Sequence, residues 1–448
     1  MKKRWSLLAL ILLLLSMSGC EQLEVTDIVS NETKEMIETP QLTPFVLEQE
    51  IEETEEEVVL PSSYSYIEEG RMPVLKNQGD TNSCWAFASL SALEASKDED
   101  SKGPYSTDHL IYHNTFDNTF EAGGAYVVTT SYLLSWSGPV GESQDPTDGE
   151  SPEELEEIVH VQEIRESQPG DFETIKRFVY LYGGVESALY VDFQDDLTQS
   201  SYYNEAYNCF CYSGEEMANH DVVIIGWDDD YPAENFVGEV IQDGAFLCQN
   251  SWGDAFGNDG TFYVSYEDVN IGGYGIVYSR IDEVDNYDRI YQSDLCGFTA
   301  QIGYQQESSW FANVYKAEES MNLRAAGFYA TGPDTEYEIY VVTNFLNEDS
   351  FLFKRKVCEG KLQDAGFYTI DFPEDVLIES GNDFGIVVKI TTPNAEYPVA
   401  IECRVQGLSE NAELSDGQGY LSLQGTRWEH VEETKEYNIC LKAYADLR

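Results

Sequence analysis

Basic residues are scarce in this chain of 448 residues: 25 lysines and arginines stand against 83 aspartates and glutamates, a formal charge of −58. A surface of that sign repels phosphate backbones and anionic headgroups, so nucleic acid is not an expected partner, and the excess acid reads as solubility in an exposed environment. Long apolar runs are lacking too. The N-terminal run from Leu7 to Leu15 falls short of the about 20 residues a helix needs to cross a bilayer. The nine cysteines follow no regular disulfide framework, which leaves bridges unassigned and favours free, buried thiols in a chain long enough to build large cores. No internal repeat is present. Metal-ligand spacing is absent as well: Cys209-Phe210-Cys211 has no second Cys/His pair at ligand distance apart from His220, and Asp228-Asp229-Asp230 lacks the spaced oxygens of a calcium loop. No metal or organic cofactor is expected.

What is present divides the chain into sections. A hydrophobic content of 42% over this length supports two or three folded domains. Lys2, Lys3 and Arg4 precede the short apolar run, the pattern of a secretory signal. Met17-Ser18-Gly19-Cys20 then resembles a bacterial lipobox, which implies cleavage before Cys20 and a lipid on its thiol. Residues 1–20 therefore read as a lipoprotein signal peptide and the chain as exported, held on the outer face of a bacterial membrane through its lipid alone, or secreted. Residues 21–58 are acidic, with the run Glu48 to Glu57, and read as a disordered tether. Residues 59–283 open with a helical pattern from Cys84 to about Lys97 and continue with strand-like runs at Val222–Ile225, Gly244–Cys248 and Thr261–Tyr266, an α+β arrangement. Residues 284–448 alternate polar and apolar side chains, as at Tyr337, Ile339, Val341 and at Phe384, Ile386, Val388, Ile390, which predicts a β-sandwich.

The chemistry concentrates in the middle section. Cys84 stands at the start of the helical pattern with no acidic residue in the next turn, where unpaired N–H groups and the helix dipole lower a thiol pKa. Gln78 precedes it on a glycine-containing turn, placed to donate to an oxyanion beside the Cys84 N–H. His220 opens a later strand, and Asn250 follows another apolar run in Gln249-Asn250-Ser251-Trp252-Gly253, placed to accept from the imidazole and fix its tautomer.

The order of these pieces, with Ser83-Cys84-Trp85-Ala86-Phe87 and Asn219-His220, resembles the papain-like cysteine peptidases over about residues 59–283. The resemblance implies a two-lobed fold with a helical and a β-barrel-like lobe, and a cysteine endopeptidase acting on proteins or peptides through a thioester at Cys84. It further implies that His220 shares the proton, Asn250 orients His220, Gln78 lines the oxyanion hole and Trp252 shields the His–Asn hydrogen bond. Gly123-Gly124 matches the glycine pair whose backbone pairs with an extended substrate. Leu133 to Val140, Gly226 to Tyr231 and Asn286 to Tyr291 are similar to a bacterial surface subgroup with a lectin-like domain after the peptidase, which implies cell-wall or host glycans as partners. Asn82 replaces a usual glycine, tolerable because asparagine adopts left-handed backbone readily. Asp221 replaces a usual small residue at the floor of the pocket for the substrate's second side chain, where it either selects basic residues, turns away, or acts on His220. Two rivals remain at this stage: a glycan-binding adhesin on a peptidase scaffold, and a transpeptidase using the same thioester.

Overall fold

The computed structural model describes residues 58–448 apart from 99, 118–122, 194–198 and 416. The signal-like segment, Cys20 and the acidic tether lie outside the described residues. Among the described residues, no helix is long and apolar enough to cross a membrane.

A buried helix, Cys84–Glu94, runs through the N-terminal half, with each residue from Cys84 to Leu93 buried. A helix apolar on all sides is held by packing on all sides. It ends three residues earlier than the sequence pattern predicts, because Lys97 leaves the helix to donate from its backbone to Tyr182 O at 2.6 Å. Helices Thr107–His113 and Tyr126–Leu134 accompany it. An antiparallel sheet lies against them, with Val185–Leu189, His220–Asp228, Ala245–Gln249 and Thr261–Ser265 as successive neighbours. The three strand-like runs of the sequence fall in these last three strands.

The C-terminal half is a sandwich. Thr335–Val342, Asp383–Thr391 and Ser308–Lys316 are neighbours in a six-stranded sheet. Its inner face, including Ile339, Val341, Phe384, Ile386, Val388 and Ile390, packs on Met321, Leu323, Phe328 and Leu441 of the opposing layer. The alternation in the sequence is therefore the alternation of core and surface along these strands.

The opposing layer does not stop at the domain boundary. Strand His160–Glu166 pairs on one edge with Ile276–Asp282 and on the other with Ala365–Ile378, so one 13-stranded sheet runs through both halves. Arg165 and Arg177 both meet Asp364 across this junction, and Arg280 meets Asp371. Two of the three stretches that set the surface subgroup apart meet here: Trp136 stacks on His160 with centroids 3.7 Å apart, His160 Nδ1 lies 2.7 Å from Asn286 Oδ1, and Tyr287 packs on Tyr444, whereas Gly226 to Tyr231 lies elsewhere, with Tyr231 packed among Cys209, Cys211 and Phe236.

Apart from Cys403 the described cysteines are free, six buried and Cys358 half-buried, as the scattered spacing suggested. Cys209 and Cys211 share one apolar cluster with Tyr231 and Phe236, the same-face packing of strand thiols.

Candidate active site

Cys84 is the first residue of its helix, and Ser83 before it makes no side-chain cap. His220 is the first residue of its strand, and Asn250 immediately follows the neighbouring strand Ala245–Gln249. Val223 pairs with Gln249, which brings the two strand ends, and hence His220 and Asn250, side by side.

One oxygen fixes the hydrogen-bond directions. Asn250 Oδ1 lies 2.8 Å from His220 Nε2 and accepts from the backbone N–H of Ser251 at 2.7 Å. A backbone N–H can only donate, so this atom is the amide oxygen and Nε2 carries the proton toward it. The bare nitrogen of the neutral ring is then Nδ1. The Trp252 ring lies 4.6 Å from the His220 ring and is itself packed by Phe193 and Phe256.

Gln78 donates from Nε2 to Thr81 O at 2.8 Å, which leaves its second amide hydrogen uncommitted by that bond. Its Oε1 accepts from Ser251 Oγ at 2.6 Å, and its backbone N–H donates to Ser251 O at 2.8 Å. Ser251 thus ties the glutamine to the asparagine. The sequence reading gave Ser251 no part, although the signal was present in a hydroxyl between Asn250 and Trp252.

Charge at the cysteine departs from the sequence expectation. Burial pushes the Cys84 thiol well above its ordinary range, the Asp221 carboxylate pushes it further, and the backbone N–H groups of Asp221 and Trp85 pull it back only in part. The helix terminus alone would lower it, but only 7% of Cys84 is exposed, and burial opposes a bare thiolate. Burial likewise draws His220 down to about 4, opposed by the Asn250 hydrogen bond. At both groups burial is the largest cause, and it favours the neutral thiol and the neutral imidazole.

Asp221 is fully buried. Its Oδ1 accepts from Tyr274 OH at 2.7 Å, and the Tyr274 ring packs on Tyr126 at 4.8 Å. Burial pushes its carboxyl up to about 6, with the Tyr274 hydroxyl acting against that. Replacing it as Asp221→Asn should lower the Cys84 thiol pKa and speed alkylation by iodoacetamide. A shift of one unit gives tenfold more thiolate but a weaker nucleophile, a net gain of about threefold. The gain should appear above about pH 6, where the parent carboxylate is charged, and vanish below it; equal rates across pH would remove Asp221 from the electrostatics of the site.

Gly123 has φ of +85°, and a Cβ on Gly124 would lie 2.6 Å from the Trp85 indole. The second glycine is thus already required by the tryptophan beneath it, independently of any substrate. Asn82 is not among the residues with positive φ, so the left-handed backbone invoked for it is not used.

Comparison with known proteins agrees with this geometry. The papain family cysteine protease profile matches residues 60–278, and a lectin-like domain profile matches residues 290–445. Cathepsin K of Mus musculus is 26% identical over 45% of this chain, and the thiol protease aleurain of Arabidopsis thaliana 27% over 46%. The chain spans only 58% and 56% of those two relatives' own lengths. The clostridial cysteine protease Cwp84 after propeptide cleavage has the same fold, with a TM-score of 0.75 at 24% identity, covering 87% of this chain and 100% of that one. A structure of the protease and lectin-like domains of Cwp84, described as a surface layer associated protein of Clostridium difficile, gives 0.72 at 23% identity, covering 87% and 89%. Residues 60–278 are therefore a papain-family cysteine protease domain, and residues 290–445 a lectin-like domain.

Proposed function

We propose that the chain is a cysteine endopeptidase that hydrolyses protein or peptide substrates through a thioester on Cys84. The observation that carries this reading is the Asn250 oxygen held by both Ser251 N–H and His220 Nε2, since it leaves Nδ1 as the nitrogen free to take the thiol proton. In the first step the Cys84 sulfur attacks a peptide carbonyl and its proton resides on His220. The oxyanion draws on the Cys84 N–H and the second hydrogen of the Gln78 amide. His220 then protonates the departing amine as the carbon–nitrogen bond breaks, leaving the acyl group on sulfur. Neutral His220 next takes a proton from water, whose oxygen attacks the thioester, and the acid product leaves as the proton returns to sulfur. Trp252 keeps water from the His220–Asn250 hydrogen bond, and the main chain at Gly123-Gly124 lies along an extended substrate. Asp221, bonded to Tyr274, tunes the charge at Cys84 from behind the site rather than meeting a side chain in solvent.

A peptidyl epoxide or vinyl sulfone should label the parent once, with the adduct on Cys84 by peptide mass spectrometry. Labelling elsewhere, or hydrolysis untouched by the reagent, would remove this assignment. Exclusive transfer of the acyl group to added amines, without hydrolysis, would favour the transpeptidase.

The working limits are 59–283 for the peptidase and 284–448 for the lectin-like domain, following a signal peptide at 1–20 and a tether at 21–58. Export and a lipid on Cys20 are part of this proposal, supported by the N-terminal motif. A second reading concerns carbohydrate: an open groove of about 370 Å³ on the lectin-like domain is lined by Tyr337, Glu338, Lys389 and Thr391 among others, the mixed aromatic and polar lining a sugar uses. A glycan array over cell-wall and host sugars tests it.

A further inference from the structure

The lectin-like domain grips the peptidase on both sides of the Gly123-Gly124 pair. On the N-terminal side, Thr115 Oγ1 donates to Leu295 O at 3.0 Å, and Cys296 Sγ lies 3.5 Å from the same hydroxyl. Two residues on, the Asp117 N–H donates to Leu408 O at 3.0 Å, and Asp117 Oδ2 accepts from the Glu410 N–H at 2.6 Å. Asn411 Nδ2 donates to the other carboxylate oxygen of Asp117. Between these contacts Phe116 is buried in the same core as Leu408, Ala412 and Leu414. On the C-terminal side, Ser131, on the helix that begins at Tyr126, has its Oγ 2.8 Å from Cys296 O.

The gripping loops are themselves stiff. Glu402 accepts from Cys296 N and from Asn438 Nδ2, each at 2.6 Å, and Asn438 Nδ2 also reaches Ser293 O and Glu413 O. Ser409 Oγ donates to Cys403 O at 2.8 Å and accepts from Val405 N at 3.1 Å. The network is buried and ties these loops to one another through Asn438 Nδ2, while Asn438 Oδ1 has no partner among the described residues. Phe116 and the helix Tyr126–Leu134 share one core with Cys296, Leu408, Ala412 and Leu414, so the grip is apolar as well as polar.

We propose that the lectin-like domain is a positioning element of the substrate cleft: the Leu295–Cys296 and Leu408–Asn411 loops clamp the chain before and after Gly123-Gly124 and so fix the edge on which the substrate's main chain lies. The proposal rests on the peptidase reading above. It makes Asp117, Ser131 and Asn411 positioning residues that touch neither substrate nor the reacting atoms. Loosening the clamp leaves Cys84, His220 and Asn250 in place but lets the binding edge drift, and a displacement of about 1 Å can cost up to about 100-fold.

The experiment uses the full chain with Asp117→Ala, Ser131→Ala and Asn411→Ala separately, and reads three quantities: kcat and KM on a peptide long enough to run along the cleft, the iodoacetamide rate at Cys84, and the melting temperature. Asp117→Ala should raise KM about tenfold or more with kcat less affected, while alkylation, which needs no main-chain pairing, stays within about twofold. Asn411→Ala and Ser131→Ala, smaller losses on the two sides, should raise KM in the same direction, and they carry the test if Asp117→Ala does not fold. Parental KM in the folded variants, or alkylation falling in parallel with kcat/KM, overturns the clamp. A parent that neither hydrolyses peptides nor takes the active-site label overturns the peptidase reading instead.

Discussion

Cys84→Ala should abolish peptide hydrolysis, lowering kcat by at least about 10⁴-fold, with the melting temperature within a few degrees of the parent. The thiol is the only group at the start of this helix that can form the thioester, and loss of the nucleophile removes that route altogether, leaving what binding and the oxyanion donors supply. The fold should survive because the position is helical and buried among Trp85, Phe87 and Ala88, where alanine is the best helix former and the change removes a single sulfur. Asn250→Ala should do less harm than Cys84→Ala, since it misdirects His220 without deleting it. Peptide turnover by Cys84→Ala above about 1% of the parent rate would sink the nucleophile assignment.

Lys442→Met should destabilise the chain by about 3–5 kcal/mol, the cost of leaving a buried charge without its partner. Lys442 Nζ lies 2.9 Å from Asp294 Oδ1 and 2.8 Å from Gln292 Oε1, and both charged side chains are almost wholly out of water. Burial already pushes the Asp294 carboxyl up and Lys442 pulls it down. Without the lysine the folded state holds the Asp294 proton more tightly than the unfolded chain does. Stability of the variant therefore falls as pH rises past the ordinary carboxylate value of about 3.9, and its deficit against the parent shrinks as pH drops toward that value. Denaturant titrations at pH 5 and pH 8 test the sign, and the double change Asp294→Asn/Lys442→Met should recover most of the loss. A single change that costs under about 1 kcal/mol at pH 8 would show that water reaches the pair.

The candidate site residues were legible because the proposed chemistry needs a particular side chain in a particular local setting at each. Cys84 at a helix start, His220 at a strand start and Asn250 after a strand carry their context in the adjacent sequence. The sandwich was legible in the period-two runs, which must alternate wherever one face is buried. Ser251 was harder to see, since its bonds to Gln78 join positions 173 apart in the chain. Asp221 was legible as an oddity, yet neither its burial nor its bond to Tyr274 has any trace in the flanking residues.

The sequence by itself determined the order of chemistry and fold: a helix-borne cysteine, a strand-borne histidine and an asparagine, then an alternating β domain, because local pattern sets secondary structure and residue type sets reactivity. Tertiary structure alone decided that burial outweighs the helix dipole at Cys84, since desolvation depends on which distant segments cover the thiol. It alone decided that Gly124 answers to the Trp85 ring. And it alone decided that strand His160–Glu166 joins both domains into one sheet, because a strand's pattern shows which faces are buried but not which chain its edges will meet.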